Sequence, residues 1–224
     1  MPGPTMPLAT HEVRWFFDGW ANEAGILSDW FLAANPFSRD EEIPEPEWKD
    51  WRTDVYLLIP GGTDMGIKWR EEELQIKGRV ASFGLQVFAG RHRGYSEGWV
   101  KWSFAGMPEP YRDLFNEQDA KGLIRVPVEK RRILRKLRVN PITAAGEEVS
   151  AEVMVDRGVT AELTNLVVGD AHYCTLGFEA FPHDSAMFAD FKRVVEAFLA
   201  TLRGVSLEAA SSRSYPEWLW RVNS

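Results

Sequence analysis

Between Gly66 and Val80 positively charged and apolar side chains take turns, and this alternation limits the possible fold more than any other stretch. Successive side chains of a strand point to opposite faces. Lys68 and Arg70 therefore share a face in Gly66-Ile67-Lys68-Trp69-Arg70, as do Gln75, Lys77 and Arg79 in Leu74-Gln75-Ile76-Lys77-Gly78-Arg79. Glu71-Glu72-Glu73 reads as the turn between two such strands. Paired as a hairpin, they gather four cations on one sheet face and place Trp69, Leu74, Ile76 and Val80 on the other. That cationic face is either an ordinary solvated surface or the wall of a pocket for a polyanion, and the alternation alone leaves both open.

The rest of the chain supplies more strands. Glu12–Phe17 divides into Glu12, Arg14 and Phe16 against Val13, Trp15 and Phe17. Further strands are expected over 52–59, 74–82, 84–89, 97–104, 126–139, 148–156, 161–168 and 172–181, with Pro60-Gly61-Gly62 as a hairpin turn. Eight or more strands in antiparallel succession imply a barrel or strongly curved sheet. Residues 35–49 and 107–121 read as loops, the latter with a helical turn, and 21–34 as a short helix. A longer helix begins at Ser185, which is expected to cap it; Phe188, Phe191, Val195, Phe198 and Leu202 form its apolar stripe and Gly204 ends it. The reading is α+β: one domain spanning 1–224, its core at about 11–204, with flanking helices and a tail, 205–224, docked on the barrel.

Composition narrows the function. With 45% apolar and 26% charged residues the chain has the make-up of a soluble globular protein. A net charge of −7 argues against general nucleic-acid binding but is compatible with a local basic pocket. A single cysteine, Cys174, excludes an internal disulfide framework, fits a reducing compartment and reads as a small core residue. No signal peptide or membrane span is evident, so the expected setting is the cytoplasm. The four histidines lack metal-ligand spacing, and the ten tryptophans are scattered as core and seam residues are.

The order of these motifs resembles the CYTH, or triphosphate tunnel metalloenzyme, superfamily. The resemblance runs over Arg52-Thr53-Asp54-Val55-Tyr56-Leu57, the two cationic strands above, Val128-Glu129-Lys130-Arg131-Arg132, Val153-Met154-Val155-Asp156-Arg157-Gly158 and the late helix. It implies a tunnel of antiparallel strands that binds a triphosphate or another polyphosphorylated small-molecule anion, with metal-dependent phosphohydrolysis by Mg²⁺ or Mn²⁺. By the same resemblance Arg14, Lys68, Arg70, Lys77, Arg79, Lys130, Arg132 and Arg157 would bind phosphate. Glu12 and Glu179 would be catalytic and, with Asp156, would hold the metal.

The carboxylate half departs from the family pattern. Glu-x-Glu-x-Lys on the first strand is here Glu12-Val13-Arg14-Trp15-Phe16, and the late Glu-x-Glu is Gly177-Phe178-Glu179. Glu97, Glu152 and Glu162 are possible substitutes. A non-catalytic anion-binding or protein-interaction module on the same fold is the alternative. If an acidic stripe of Glu148, Glu152 and Asp156 neutralises the cations internally, the network is structural. Asp54 and Tyr56 read as partners of neighbouring strands instead of site residues.

Overall fold

A computed structural model describes residues 7–19, 21–34, 36–39, 43–106, 115, 124–140 and 146–224. The strands are β1 (Leu8–Asp18), β2 (Ser38–Arg39), β3 (Arg52–Leu58), β4 (Met65–Arg70), β5 (Glu73–Phe88), β6 (His92–Ala105), β7 (Ile124–Val139), β8 (Gly146–Val149), β9 (Gly158–Val168) and β10 (Ala171–Phe181). The helices are α1 (Asn22–Ala33), α2 (Ser185–Thr201) and α3 (Tyr215–Val222). Eight strands close in the order β7-β3-β4-β5-β6-β1-β10-β9, and β9 returns to β7. Every neighbouring pair in this ring is antiparallel. The fold is thus a closed antiparallel barrel with flanking helices. β8 extends from β7 and pairs in parallel with the short β2. No helix among the described residues is long and apolar enough to cross a membrane.

Strand parity divides inside from outside. Val13 and Trp15 of β1, Ile133 and Leu137 of β7, Ala161 and Leu163 of β9 and Leu176 and Phe178 of β10 belong to the larger apolar cluster. They lie on the outer wall, where Leu27 and Phe31 of α1 and Phe191, Val195 and Phe198 of α2 cover them. The opposite parity carries Glu12, Arg14, Lys130, Arg132, Glu162 and Glu179, all of which line the interior. Apolar burial thus accumulates outside the barrel, leaving its lumen free to hold charge.

One end of the lumen is apolar. Phe16, Tyr56, Leu58, Val126, Val128 and Leu166 meet Trp218 and Leu219 of α3 in a second cluster. Trp218 stacks on Phe16 with ring centroids 4.4 Å apart, and Tyr215 stacks on Tyr56 at 5.2 Å. Ser214 caps α3 by accepting from the Glu217 amide. The tail packs on the barrel and plugs this end.

Several local expectations change. The stretch 74–89 is one strand with register shifts between Arg79 and Ala81 and between Ser82 and Gly84, because bulges bend it without ending its pairing to β6. β8 stops at Val149, and the alternating sequence beyond it turns away with no strand to pair. The cap of α2 is Asp184, whose carboxylate accepts from the Met187 amide; Ser185 is already the first helical residue. The turn at Glu71-Glu72 has two residues, both at positive φ (48° and 64°), and β5 begins at Glu73. Pro60-Gly61-Gly62 forms the expected turn, Cys174 is a core residue, and Gly204 follows α2 at φ 78°. The loop expected over 107–121 lies, apart from Phe115, outside the described residues.

A buried ion pair on the outer wall went unforeseen. Arg135 Nε donates to Glu148 Oε1 at 2.9 Å, and its Nη1 donates to the carbonyls of Phe31 and Ala34 at the end of α1. This guanidinium supplies the positive charge that the helix terminus lacks in its own last turn.

Removing the tail's anchor tests the docking. Trp218→Ala should cost roughly 3–5 kcal/mol of stability, read as a lowered denaturant midpoint; an unchanged midpoint would show that the plug does not contribute to the fold.

Candidate functional site

The lumen holds a partly open cavity of about 190 Å³. Nine cationic side chains line it against four glutamates, Glu12, Glu97, Glu162 and Glu179, and this excess decides its chemistry. Arg52, Lys68 and Arg70 come from β3 and β4, Lys77 from β5, Lys101 from β6, and Lys130 and Arg132 from β7. Arg14 comes from β1, and the tail adds Arg213. Each barrel cation sits at an inward parity position, so the strand register places them all around one space.

Asp54 is the hub of one wall. It is fully buried and accepts from Lys68 Nζ at 2.8 Å, contacts Lys130 Nζ at 2.5 Å and takes Arg52 Nε at 3.2 Å. Burial alone would raise its pKa, but Lys130 and Lys68 hold it well below the usual carboxylate range. Lys130 also donates to the Tyr56 hydroxyl at 3.1 Å. Burial, with Lys130 beside it, drives the pKa of Lys68 well below its ordinary value despite the attraction of Asp54. Asp54 and Tyr56, read from sequence as strand partners, are thus part of the lumen wall.

The opposite wall carries the glutamates. Glu12, Glu97 and Glu179 are in register across β6, β1 and β10. Lys77 crosses the lumen to contact Glu12 and Glu179, the latter at 3.6 Å. Burial pulls the pKa of Lys77 down, but Glu12 and Glu179 outweigh it and hold it above its ordinary value, so the group stays an ammonium ion. Thr10 Oγ1 donates to Glu12 at 2.7 Å. Glu97 accepts from Arg79 and, at 3.0 Å, from Trp99 Nε1. Glu162 accepts from Arg14 and from Arg132, each at 3.1 Å. Against the effect of burial these cations, with Lys130, hold Glu162 far below the usual range.

Arg14 depends on a glycine. Arg14 faces Gly177 in the β1–β10 register, and its guanidinium lies over the glycine Cα. A Cβ on Gly177 would fall 2.6 Å from Arg14 Cζ. The two departures from the carboxylate pattern, Arg14 and Gly177, are therefore complementary: the cation fills the space that the missing side chain vacates.

Among the residues expected at the site, Glu12, Arg14, Lys68, Arg70, Lys77, Lys130, Arg132 and Glu179 all line the cavity. Arg79 does not; beside the bulge it pairs with Glu97 and Asp64 and braces the wall. Arg157 lies outside the barrel, bound to Asp184 and Asp190 of the α2 end at 3.0 Å each. Asp156 is exposed and away from the cavity, because the chain enters β9 only at Gly158. The supposed acidic stripe does not serve the lumen: Glu148 pairs with Arg135, and Glu152 and Asp156 are exposed. Glu97 and Glu162 do line the lumen; Glu152 does not. Tail residues Arg213, Ser214 and Tyr215 had no local signal, because docking alone brings them there.

Among the described residues, Arg70 Nε, Thr164 Oγ1 and the Tyr215 hydroxyl belong to lining residues and are buried without a hydrogen bond. The exposed Glu71 carboxylate lies 3.5 Å from Arg70 Nε, in a geometry that makes no hydrogen bond. Lys101 forms no ion pair among the described residues and acts on Glu179 only at longer range.

The donors do not fit a resident Mg²⁺ or Mn²⁺. Such ions take several oxygen ligands, including one or two carboxylates. Among the described residues no three His, Cys, Asp or Glu side chains converge as a metal site. Each lumen glutamate is already held by a cation, and the gap between Glu12 and Glu179 holds the Lys77 ammonium.

No protein-family profile and no curated protein matches the chain. Among solved structures it is similar to a conserved hypothetical protein from Pyrococcus furiosus, at 14% identity and a TM-score of 0.42, over 93% of this chain and 98% of that one.

Two substitutions test this geometry. Asp54→Asn should lower stability at neutral pH by roughly 3–5 kcal/mol, since it leaves buried cations without their carboxylate. Asp54 has a folded pKa below its unfolded value, so its contribution is complete above roughly pH 5 and fades as pH falls toward the folded pKa. The gap between wild type and variant should therefore narrow on acidification, and a gap constant with pH would contradict the hub. Gly177→Ala should cost roughly 1–3 kcal/mol by displacing Arg14, and its effect should overlap strongly with that of Arg14→Ala in a double-mutant cycle; strict additivity would contradict the contact.

Proposed function

We propose that this chain binds a polyphosphorylated small-molecule anion of the triphosphate class in the barrel lumen. The observation that carries the reading is the excess of cations around one partly open cavity, nine against four lining glutamates with Asp54 behind them. Two like charges about 6 Å apart repel by roughly 3 kcal/mol at an effective dielectric near 20. Such a cationic excess is relieved by a mobile counter-ion, and a chain of phosphates concentrates several negative charges in one slender guest. Lys and Arg donors suit phosphate oxygens, Arg in bidentate fashion.

Further observations support the same guest. Arg70 Nε and Thr164 Oγ1 await an acceptor and a partner, respectively, and Lys101 awaits an anion. The cavity volume corresponds to roughly a dozen or more waters at about 10–15 Å³ each, enough for a short oligophosphate. The resemblance of motif order to the triphosphate tunnel superfamily points to the same ligand class. Hydrolysis through a resident divalent ion is not part of this reading, because the glutamates are held by cations.

Thermal unfolding with sodium tripolyphosphate, pyrophosphate, orthophosphate and sulfate, at matched ionic strength, tests it. Stabilisation should grow with phosphate number and reach roughly 2.7 kcal/mol at a hundredfold excess over Kd. Arg70→Ala and Lys101→Ala should each diminish it. Equal responses to sulfate and tripolyphosphate, or none, would overturn the proposal.

The Asp54 hub adds a proton signature. Lys68 has a lowered pKa in the free protein, and an arriving anion favours its charged form, so binding should take up a proton at a pH between the two values. Titration calorimetry over a pH series in buffers of different ionisation enthalpy should show net uptake that Lys68→Arg diminishes. Buffer-independent heats would contradict the assignment.

A further inference from the structure

Lys77 stands where a bridging divalent cation would be needed for a metal-dependent site. Its Nζ contacts Glu12 on β1 and lies 3.6 Å from Glu179 on β10, the two carboxylates whose strands are direct neighbours. Among the described residues nothing else in the lumen frees a carboxylate pair. Glu97 is held by Arg79 and Trp99, and Glu162 by Arg14 and Arg132. A divalent ion arriving with a phosphate would have to displace an ammonium ion or a guanidinium from each carboxylate it used. That exchange brings two more positive charges into a space already in cationic excess.

We infer that the lumen takes its oligophosphate as the free, metal-uncomplexed anion, with Lys77 acting as a built-in counter-cation that occupies Glu12 and Glu179. This rests on the polyphosphate reading above. The ammonium offsets one of the two carboxylate charges, and Lys101 and Arg14 also act on Glu179, so the pair repels an incoming phosphate less. Lys68, Arg70 and Lys101 remain turned toward the cavity to receive it. Magnesium in solution then acts as a competitor: it complexes the oligophosphate and lowers the concentration of the form that binds.

Two measurements test the inference and separate its failure from that of the polyphosphate reading. In calorimetric titration with sodium tripolyphosphate, binding in EDTA should be roughly tenfold or more tighter than in excess Mg²⁺, and equal affinity in the two arms would overturn the inference. Binding that requires Mg²⁺ or Mn²⁺ and vanishes in EDTA would overturn the inference while leaving a polyphosphate site in place. Absence of binding in both arms would remove the polyphosphate reading and this inference with it.

The second measurement needs no phosphate. Electron paramagnetic resonance of Mn²⁺ added to the protein alone should show the free ion's signal for the wild type. Lys77→Met, whose fold is checked by circular dichroism, opens the Glu12–Glu179 pair and should capture Mn²⁺ at least roughly tenfold more tightly. Glu12→Gln in the Lys77→Met background should abolish that capture. Stoichiometric Mn²⁺ uptake by the wild type that Glu12→Gln removes would overturn the inference. So would a Lys77→Met variant that folds yet gains no affinity for the ion.

Discussion

An ammonium or guanidinium group drawn away from bulk water needs negative charge close by, and that requirement organises the interior of this barrel. Buried cations are tolerated when paired and hydrogen-bonded, and are costly when they are not. Asp54 serves Lys68, Lys130 and Arg52; Glu162 serves Arg14 and Arg132; Glu12 and Glu179 share Lys77. Arg70, whose ion pair is with the exposed Glu71 at 3.5 Å, and Lys101, which has none among the described residues, face the same cavity. The structural pairs hold the walls, and the remainder defines what the lumen can attract.

Such an interior is possible because the fold does not depend on it for its main apolar core. The larger apolar cluster lies between the outer barrel wall and helices α1 and α2. Closure of β9 onto β7 removes the sheet edges, so the barrel needs no packed interior to satisfy its backbone. The interior is divided along its length: Phe16, Val126, Val128 and Leu166 meet α3 at one end, and charge occupies the rest. The same strand alternation that buries Trp15 under the outer cluster turns Arg14 inward over Gly177. Stability and electrostatics are thereby assigned to opposite faces of the same strands.

Much of this was legible in residue order. The period-two alternation of cations with apolar residues in β4 and β5 specified strands and shared faces, because a strand offers only two sides, and the basic stretch of β7 read as a strand because it holds no clean helical period. The stripe on α2 was equally clear. What escaped were features set by contacts distant in sequence. The alternation of 148–156 suggested a strand, but pairing ends at Val149, which leaves Asp156 exposed. The resemblance places Arg157 among the phosphate-binding cations, and residue type cannot distinguish a lumen cation from one bound to Asp184 and Asp190 outside. Asp184 and Ser185 are adjacent capping residues, and only the backbone path shows which of them reaches Met187. The pairing of Arg14 with Gly177 was visible as two separate losses of carboxylate; their complementarity required the register of β1 against β10.

Phosphorus-31 nuclear magnetic resonance of tripolyphosphate mixed with an equimolar amount of the protein, in EDTA, tests most directly whether the lumen is built for such a guest. A cation-rich site predicts that the terminal and central phosphate resonances both shift and broaden, with the change saturating at one ligand per chain. A spectrum identical to that of the free anion at the same concentration and ionic strength would contradict it.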